Sequence, residues 1–364
     1  MILCVSVVLG VLVFIHEGGH YLAARAFGVR VTEFMIGFPG PGLSFKHGET
    51  RFGVTCVPLG GYARICGMEA GDESPHLKAV LASISACGTA YMEDVAQDCS
   101  ITNDEAFDAL EELVEWGCIT GPTKKDEYNV FRTVDVRPTK RQIKRAEKAG
   151  LPAPQRLDEG TPRAFDNAEE LYNQEYKQQY RSKPFWQRCI ILLAGIAMNL
   201  LFAILVIVLI YSVIGFDYTY ETGEVTHITV SPLRSLYAGI SYIGLVAQAV
   251  ISLFNPQTAA QTVSDSTSII GIAVYSKVAA EAGFTTFLEF MAMISVSLGL
   301  MNLLPIPPLD GGRFVIEIYQ KISGKNASVR AMNMLTIAGM VFFLGFFCIM
   351  CGQDISRFVF GNWG

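Results

Sequence analysis

The sequence predicts a polytopic α-helical membrane protein with about four transmembrane helices, a membrane-associated β-hairpin or small sheet, and a small α+β, winged-helix-like cytoplasmic insert. Composition is the first observation behind this. Of 364 residues, 51% are hydrophobic and 17% charged, against about 25% charge in a typical soluble domain, and mean hydropathy is +0.35. The second is a recurrence of apolar segments near the roughly 20 residues a span needs. Ile190–Gly215 carries no charge and a single amide, Asn199; Phe290–Leu304 extends back past Glu289 toward Thr285; Ala331–Cys351 is uncharged after Arg330. A fourth run, Ile2–Ile15, is short but continues as a helix to about Ala26.

The first run lacks the basic flank and small-residue cleavage site of a signal peptide, so it is expected to be retained. Net charge is −6, and its distribution says more. Arg25, Arg30, Arg181, Lys183 and Arg188 flank one long loop, and Arg313, Lys321, Lys325 and Arg330 flank the turn before the last span. Basic flanks mark the cytoplasmic side, which puts both termini outside and residues 27–188 inside. Cys87, Cys99 and Cys118 then lie where thiols stay reduced. Cys348 and Cys351 form a CxxC without a strand–helix context or a second pair, and read as packing or lipid-facing thiols.

Along the chain, residues 1–71 hold the first helix and a β-loop. Val29–Ile36 reads as a strand, Gly37–Gly42 as a turn and Thr50–Pro58 as a second strand. Residues 72–157 form the insert plus linker. His76–Ala86, Tyr91–Asp98 and Asn103–Trp116 have helical periodicity. Turns at Gly121-Pro122 and Lys124–Asp126 bracket a hairpin ending near Val134. Residues 158–364 supply the remaining core. They begin with a polar stretch carrying a charged helix at Ala168–Tyr180.

The chemistry is concentrated at His16-Glu17-Gly18-Gly19-His20. On a helix, positions i and i+4 share a face, so both imidazoles can bind one metal, and borderline-soft Zn²⁺ suits them. Glu17 stands where it can take a proton from activated water. The bland alternative is a pair of satisfied helical histidines. Against it, ionisable groups in an apolar span are costly. Gly18 and Gly19 also weaken the helix by about 1 kcal/mol each, as though something must approach closely. A catalytic zinc needs a third protein ligand and an open position. His47, His76 and His227 fall in loops or the insert. Asp310 follows an apolar span and three prolines, with Gly311-Gly312 behind it, and is poorly explained by packing.

An HExxH motif on the first span, with Asn302–Gly311 reading NxxPxPxLDG on a later one, resembles the site-2 protease family of intramembrane zinc metalloproteases. Gly28–Val31, Phe34–Phe38 and Pro58–Tyr62 resemble the membrane-associated β-loop of its bacterial branch. Arg181–Arg188 followed by Ala194–Asn199 resembles the entry to its second span, with Ile196 where the family usually has proline. The resemblance covers about residues 1–70 and 160–360. It implies one zinc per chain held by His16, His20 and Asp310, with Glu17 as base, and Asn302 as a hydrogen-bond partner for substrate backbone. It also implies single-span membrane proteins as substrates, and a multi-pass protein of the bacterial plasma membrane with its active site near the cytoplasmic side. Many bacterial members carry PDZ domains where Phe216–Val230 stands, a stretch too short for any domain.

Family geometry bears on 235–254, which is uncharged and long enough to span. One more crossing there would move Asp310 away from the zinc, so the stretch is expected to be interfacial or re-entrant. A substrate helix must unwind to be cut, and the loop around Thr50–Pro58 is the expected edge strand for it to pair with. The competing reading is a membrane-bound regulator whose insert senses a ligand or protein partner. Nucleic acid is disfavoured, because the third insert helix is acidic (Asp104, Glu105, Asp108, Glu111, Glu112, Glu115) and phosphate would be repelled.

Overall fold

The computed structural model describes the chain except residues 58–59, 69–70, 124–125, 127–128, 139, 151–155, 220–222 and 362–364. The expected strand end at Pro58 and part of the turn at Lys124–Asp126 lie outside the described residues. Among the described residues, five helices are long and apolar enough to cross a membrane: α1 (Ile2–Ala26), α7 (Phe185–Val208) with its π-helical extension Leu209–Ile214, α8 (Pro232–Ser252), α11 (Phe284–Asn302) and α13 (Val329–Phe358). This is a polytopic helical membrane protein.

Helix α1 buries Val5, Val8, Leu12, His16, Gly19, His20 and Ala24. Spaced three and four apart, they form a single stripe that faces α7. The two helices run antiparallel, and their backbones touch at Gly19, where an added Cβ would lie 2.8 Å from Ala194 C. Gly19 thus serves a neighbouring helix, while a Cβ on Gly18 would meet only open space. Helix α11 packs antiparallel on α7, with Gly299 against Asn199 and Ile196 and Ser295 Oγ donating to Asn199 O at 2.9 Å, and also reaches α1, where Met291 meets Val8 and Leu12. After α11, the proline-rich turn 303–309 doubles back and α12 (Asp310–Ser323) begins. Gly311 and Gly312 lie against the backbones of Leu303, Leu304 and Ile306, and Gly339 of α13 lies against Pro307. Side chains there would push the turn open.

Four strands follow α1: β1 (Val31–Ile36), β2 (Gly42–His47), β3 (Thr50–Thr55) and β4 (Gly61–Ile65). They form one sheet in the order β2-β3-β1-β4, with β1 and β3 parallel and the other pairs antiparallel. Aromatic contacts fasten it to α1: Phe14 and Tyr21 each meet Phe34 edge-on at 5.6 Å. The sheet corrects the sequence expectation. Strand β3 is interior, hydrogen-bonded on both sides, so Thr50–Thr55 offers no free edge; the edges are β2 and β4.

The insert comprises α2 (Leu77–Cys87), β5 (Thr89–Tyr91), α3 (Met92–Cys99), α4 (Asn103–Glu115), β6 (Ile119–Thr120) and β7 (Val130–Thr133), the strands ordered β5-β7-β6. Thr102 and Glu105 form a capping box at the start of α4, satisfying two otherwise orphaned amides. Val80, Ile84, Leu110, Leu113, Trp116 and Phe131 fill the core. Helix α5 (Lys140–Lys148) follows. Helix α6 (Ala168–Tyr176) then lays Leu171, Tyr172 and Tyr176 on the insert core, so packing crosses the 157/158 boundary read from sequence. Arg30, just past α1, binds the insert side: its guanidinium lies 2.8 Å from Glu175 and donates to Trp116 O at 3.1 Å. Burial raises the Cys66 thiol at the end of β4 to about 12, so it stays protonated and unreactive.

At the opposite end of the bundle, β8 (Phe216–Thr219) and β9 (Val225–Ile228) pair as a hairpin. Helix α9 (Ala259–Asp265) and α10 (Ile269–Ala282) precede α11, and buried Asp354 of α13 caps α10 by accepting from Ser268 N at 2.7 Å and Gly271 N at 3.0 Å. Helix α8 is one more apolar helix than the four or so expected. It begins beside α7's far end, where Ser212 Oγ donates to Ser235 Oγ. Its last residue, Ser252, bonds Thr262, and nearby Ser266 O accepts from Arg357. Arg357 lies some 27 Å of helix beyond Gly339, at about 1.5 Å per residue. Between its ends α8 packs along α7 and α11, with Gly239 against Ile204 and Ile207 and Tyr242, Ile243, Val246 and Val250 in the cluster of Ala203, Val206 and Val296.

Candidate metal centre

The antiparallel packing of α1 on α7, and the return of the chain after α11, bring His16, His20 and Asp310 together. His16 Nε2 lies 3.0 Å from Asp310 Oδ2, His20 Nε2 lies 3.1 Å from the same oxygen, and the two Nε2 atoms are 3.3 Å apart. Ligand atoms around a tetrahedral zinc, at bonds of about 2.0–2.1 Å, stand about 3.3–3.4 Å from one another. The triangle therefore has the size of one face of a zinc coordination sphere. Its donor set, two imidazoles and a carboxylate, is that of catalytic zinc sites. Among the described residues these three form the one His/Cys/Asp/Glu group able to share a metal.

The imidazoles are held from behind by α7. His20 Nδ1 donates to Ile191 O at 2.8 Å. A carbonyl can only accept, so Nδ1 carries the proton and Nε2 keeps a free lone pair aimed at the triangle. His16 Nδ1 faces the Asn199 amide at 3.2 Å. Gly195 lies under both rings: an added Cβ would stand 2.8 Å from His20 Cδ2 and 2.9 Å from His16 Cε1, and closer still to His20 Nε2.

The triangle opens into a cavity of about 210 Å³ that Glu17, Gly60, Gly61 and Asn302 also line. Glu17 Oε2 accepts from Ala63 N at 3.0 Å, leaving Oε1 for other partners. That amide belongs to edge strand β4 and points away from β1, toward the cavity. Asn302 Nδ2 donates to Leu298 O, one turn back in its own helix, at 2.9 Å, so its NH₂ is partly engaged and its carbonyl oxygen is the open end. Of the other histidines, His47 ends β2, His76 precedes α2 and His227 lies in β9, none at the triangle.

The sequence reading named His16, Glu17, His20, Asn302 and Asp310; His16, Glu17, Asn302 and Asp310 line one cavity, and His20 joins His16 and Asp310 in the triangle beside it. It did not single out Ile191, Gly195 or β4. Nor did it give Asn199 any role beyond that of the one amide in its span. Their importance is a matter of what α7 and the sheet edge lie against.

The model of peptidase family M50 matches residues 4–346. The Regulator of sigma-W protease RasP of Bacillus subtilis is 24% identical, over 96% of this chain and 97% of its own. Zinc metalloprotease RasP of Geobacillus kaustophilus is also 24% identical, over 97% of each chain. Identity this low but this continuous spans both the HExxH helix and the turn that returns Asp310 to it, and the chain accordingly belongs to peptidase family M50, the site-2 proteases, and is a zinc metalloprotease.

Proposed function

We propose that this protein hydrolyses peptide bonds within the transmembrane segments of single-span membrane proteins, with His16, His20 and Asp310 as zinc ligands and Glu17 as general base. The observation that carries this is the triangle of 3.0, 3.1 and 3.3 Å with Glu17 on the wall of the same cavity. Zinc supplies Lewis-acid activation of the scissile carbonyl and of the attacking water. Glu17 Oε1 takes the proton of that water and returns it to the leaving amide nitrogen. The Ala63 amide fixes the other oxygen, Oε2, so the carboxylate is oriented before substrate arrives. Asn302 presents its carbonyl oxygen to substrate N–H groups.

An unwound helix in lipid leaves backbone groups unsatisfied at several kcal/mol each, and edge strand β4 is the surface proposed to take them. In an antiparallel strand alternate residues turn their N–H and C=O the same way. With the Ala63 amide facing Glu17, the backbone groups of Gly61 face the cavity too. An extended substrate adding there would lie across the metal site.

Around this core, the membrane placement proposed is the bacterial plasma membrane, with the insert and the active-site end cytoplasmic, as the basic flanks indicate. Helix α8 is proposed as interfacial or re-entrant, leaving four crossings, because one more crossing would carry Asp310 away from the two histidines. The insert's element order, α2-β5-α3-α4-β6-β7, supports a winged-helix-like module. Helix α4 turns Glu112 and Glu115 inward, accepting from Ser74 N and Met68 N, and leaves Asp104, Glu105, Asp108 and Glu111 exposed, an acidic face that repels phosphate and favours a protein partner over nucleic acid. The test of the catalytic reading is Glu17→Gln, co-expressed with single-span substrates. It should keep zinc at wild-type stoichiometry and lose cleavage, and cleavage within a few-fold of wild type would remove Glu17 from the role.

A further inference from the structure

Asn199 is fully buried in α7, in a span where an unpartnered amide is costly. Its Nδ2 lies 3.2 Å from His16 Nδ1, while its Oδ1 has no hydrogen-bond partner. An NH₂ turned to Nδ1 makes that nitrogen the acceptor. In neutral His16 the proton then sits on Nε2, the atom that faces Asp310 and His20. That tautomer cannot bind a metal through Nε2. The two ends of an amide have the same shape, and exchanging them puts Oδ1 against Nδ1. The orphan oxygen then accepts the His16 Nδ1–H, and the Nε2 lone pair points into the triangle.

We propose that Asn199 is a positioning residue: its Oδ1 accepts the Nδ1–H of His16 and so holds Nε2 as a metal donor. Helix α7 then treats both histidines alike. Ile191 O fixes the tautomer of His20, and Asn199 Oδ1 fixes that of His16. Partners behind a ligating imidazole set its orientation and basicity, and their loss weakens metal binding by roughly 10–100-fold. The inference rests on the zinc reading of His16 given above.

The test is zinc affinity of the full-length, detergent-purified protein, measured by chelator competition, with the melting temperature of the zinc-free protein alongside. Asn199→Leu keeps the volume and cannot accept a hydrogen bond. Asn199→Asp can only accept. The expected result is affinity lowered at least 10-fold in Asn199→Leu and within about threefold of wild type in Asn199→Asp. Equal loss in both would show that the amide acts as a donor or as packing, and overturn the proposal. Affinity unchanged in Asn199→Leu would overturn it as well. The zinc-free melting temperatures confirm that each variant is folded before its affinity is compared, so that a loss of zinc in Asn199→Leu is not read from unfolded protein. If His16→Ala bound zinc like wild type, the zinc reading itself would fall, whatever the Asn199 variants did.

Discussion

Gly195→Ala adds one methyl group to α7 and should all but abolish zinc binding. The added Cβ would stand 2.8 Å from His20 Cδ2 and 2.9 Å from His16 Cε1, where carbon atoms in ordinary contact are about 3.5–4.0 Å apart. Relief requires the rings, or α7 itself, to move by about 0.6–1.2 Å. Metal–ligand distances tolerate about 0.2 Å, so the displacement is several times what the site can absorb. Nor can α7 simply withdraw, because Gly19 of α1 packs directly against its backbone at Ala194 and Gly195. Helix propensity works the other way, alanine being about 1 kcal/mol better than glycine in a helix interior, so the zinc-free protein need not lose its helical fold. The expected result is a zinc affinity lowered at least 100-fold in chelator competition, with helical circular dichroism retained. Gly195→Ala protein binding zinc within twofold of wild type would refute the close approach of α7 to the two rings.

Two further outcomes follow from the contacts around the site. Ala63→Pro removes the amide held by Glu17 Oε2 without touching the β1 ladder; it should slow cleavage at least 10-fold and leave zinc bound, and a substrate carrying helix-breaking glycines should recover part of the loss. Wild-type rates on both substrates would argue against β4 as the pairing edge. Arg30→Met leaves Glu175 buried without its partner at 2.8 Å, a loss of about 3–5 kcal/mol for a broken buried pair, to be read as a lowered midpoint in chemical denaturation; an unchanged midpoint would mean water reaches Glu175.

How much of this was legible in the amino-acid sequence depends on the range of each interaction. The HExxH pair was legible because i and i+4 meet on any helix, whatever the rest of the chain does. Asp310 was legible by incongruity, an acid behind prolines at the end of an apolar run. The insert helices declared themselves by periodicity, and the capping box at Thr102 and Glu105 is local too. Strand β2 was missed because it is exposed along its length, so burial imposes no alternation on it. Strand β4 was missed because Gly60 and Gly61 look like a turn.

Sequence alone thus determined the candidate metal-binding residues, the apolar segments and the family. Tertiary structure decided what stands behind and beside them. Whether Asn199 is a packing amide or a partner of His16 depends on the register of α7 against α1, set by glycine contacts far apart in the chain. Which strand offers a free edge depends on sheet order, which puts Thr50–Thr55 in the middle and Gly61–Ile65 at the site. Helix α8 has the composition of a span, and only tertiary structure decides that it lies against α7 and α11. In each case hydrophobicity fixes that a segment is buried, while partners distant in sequence fix against what.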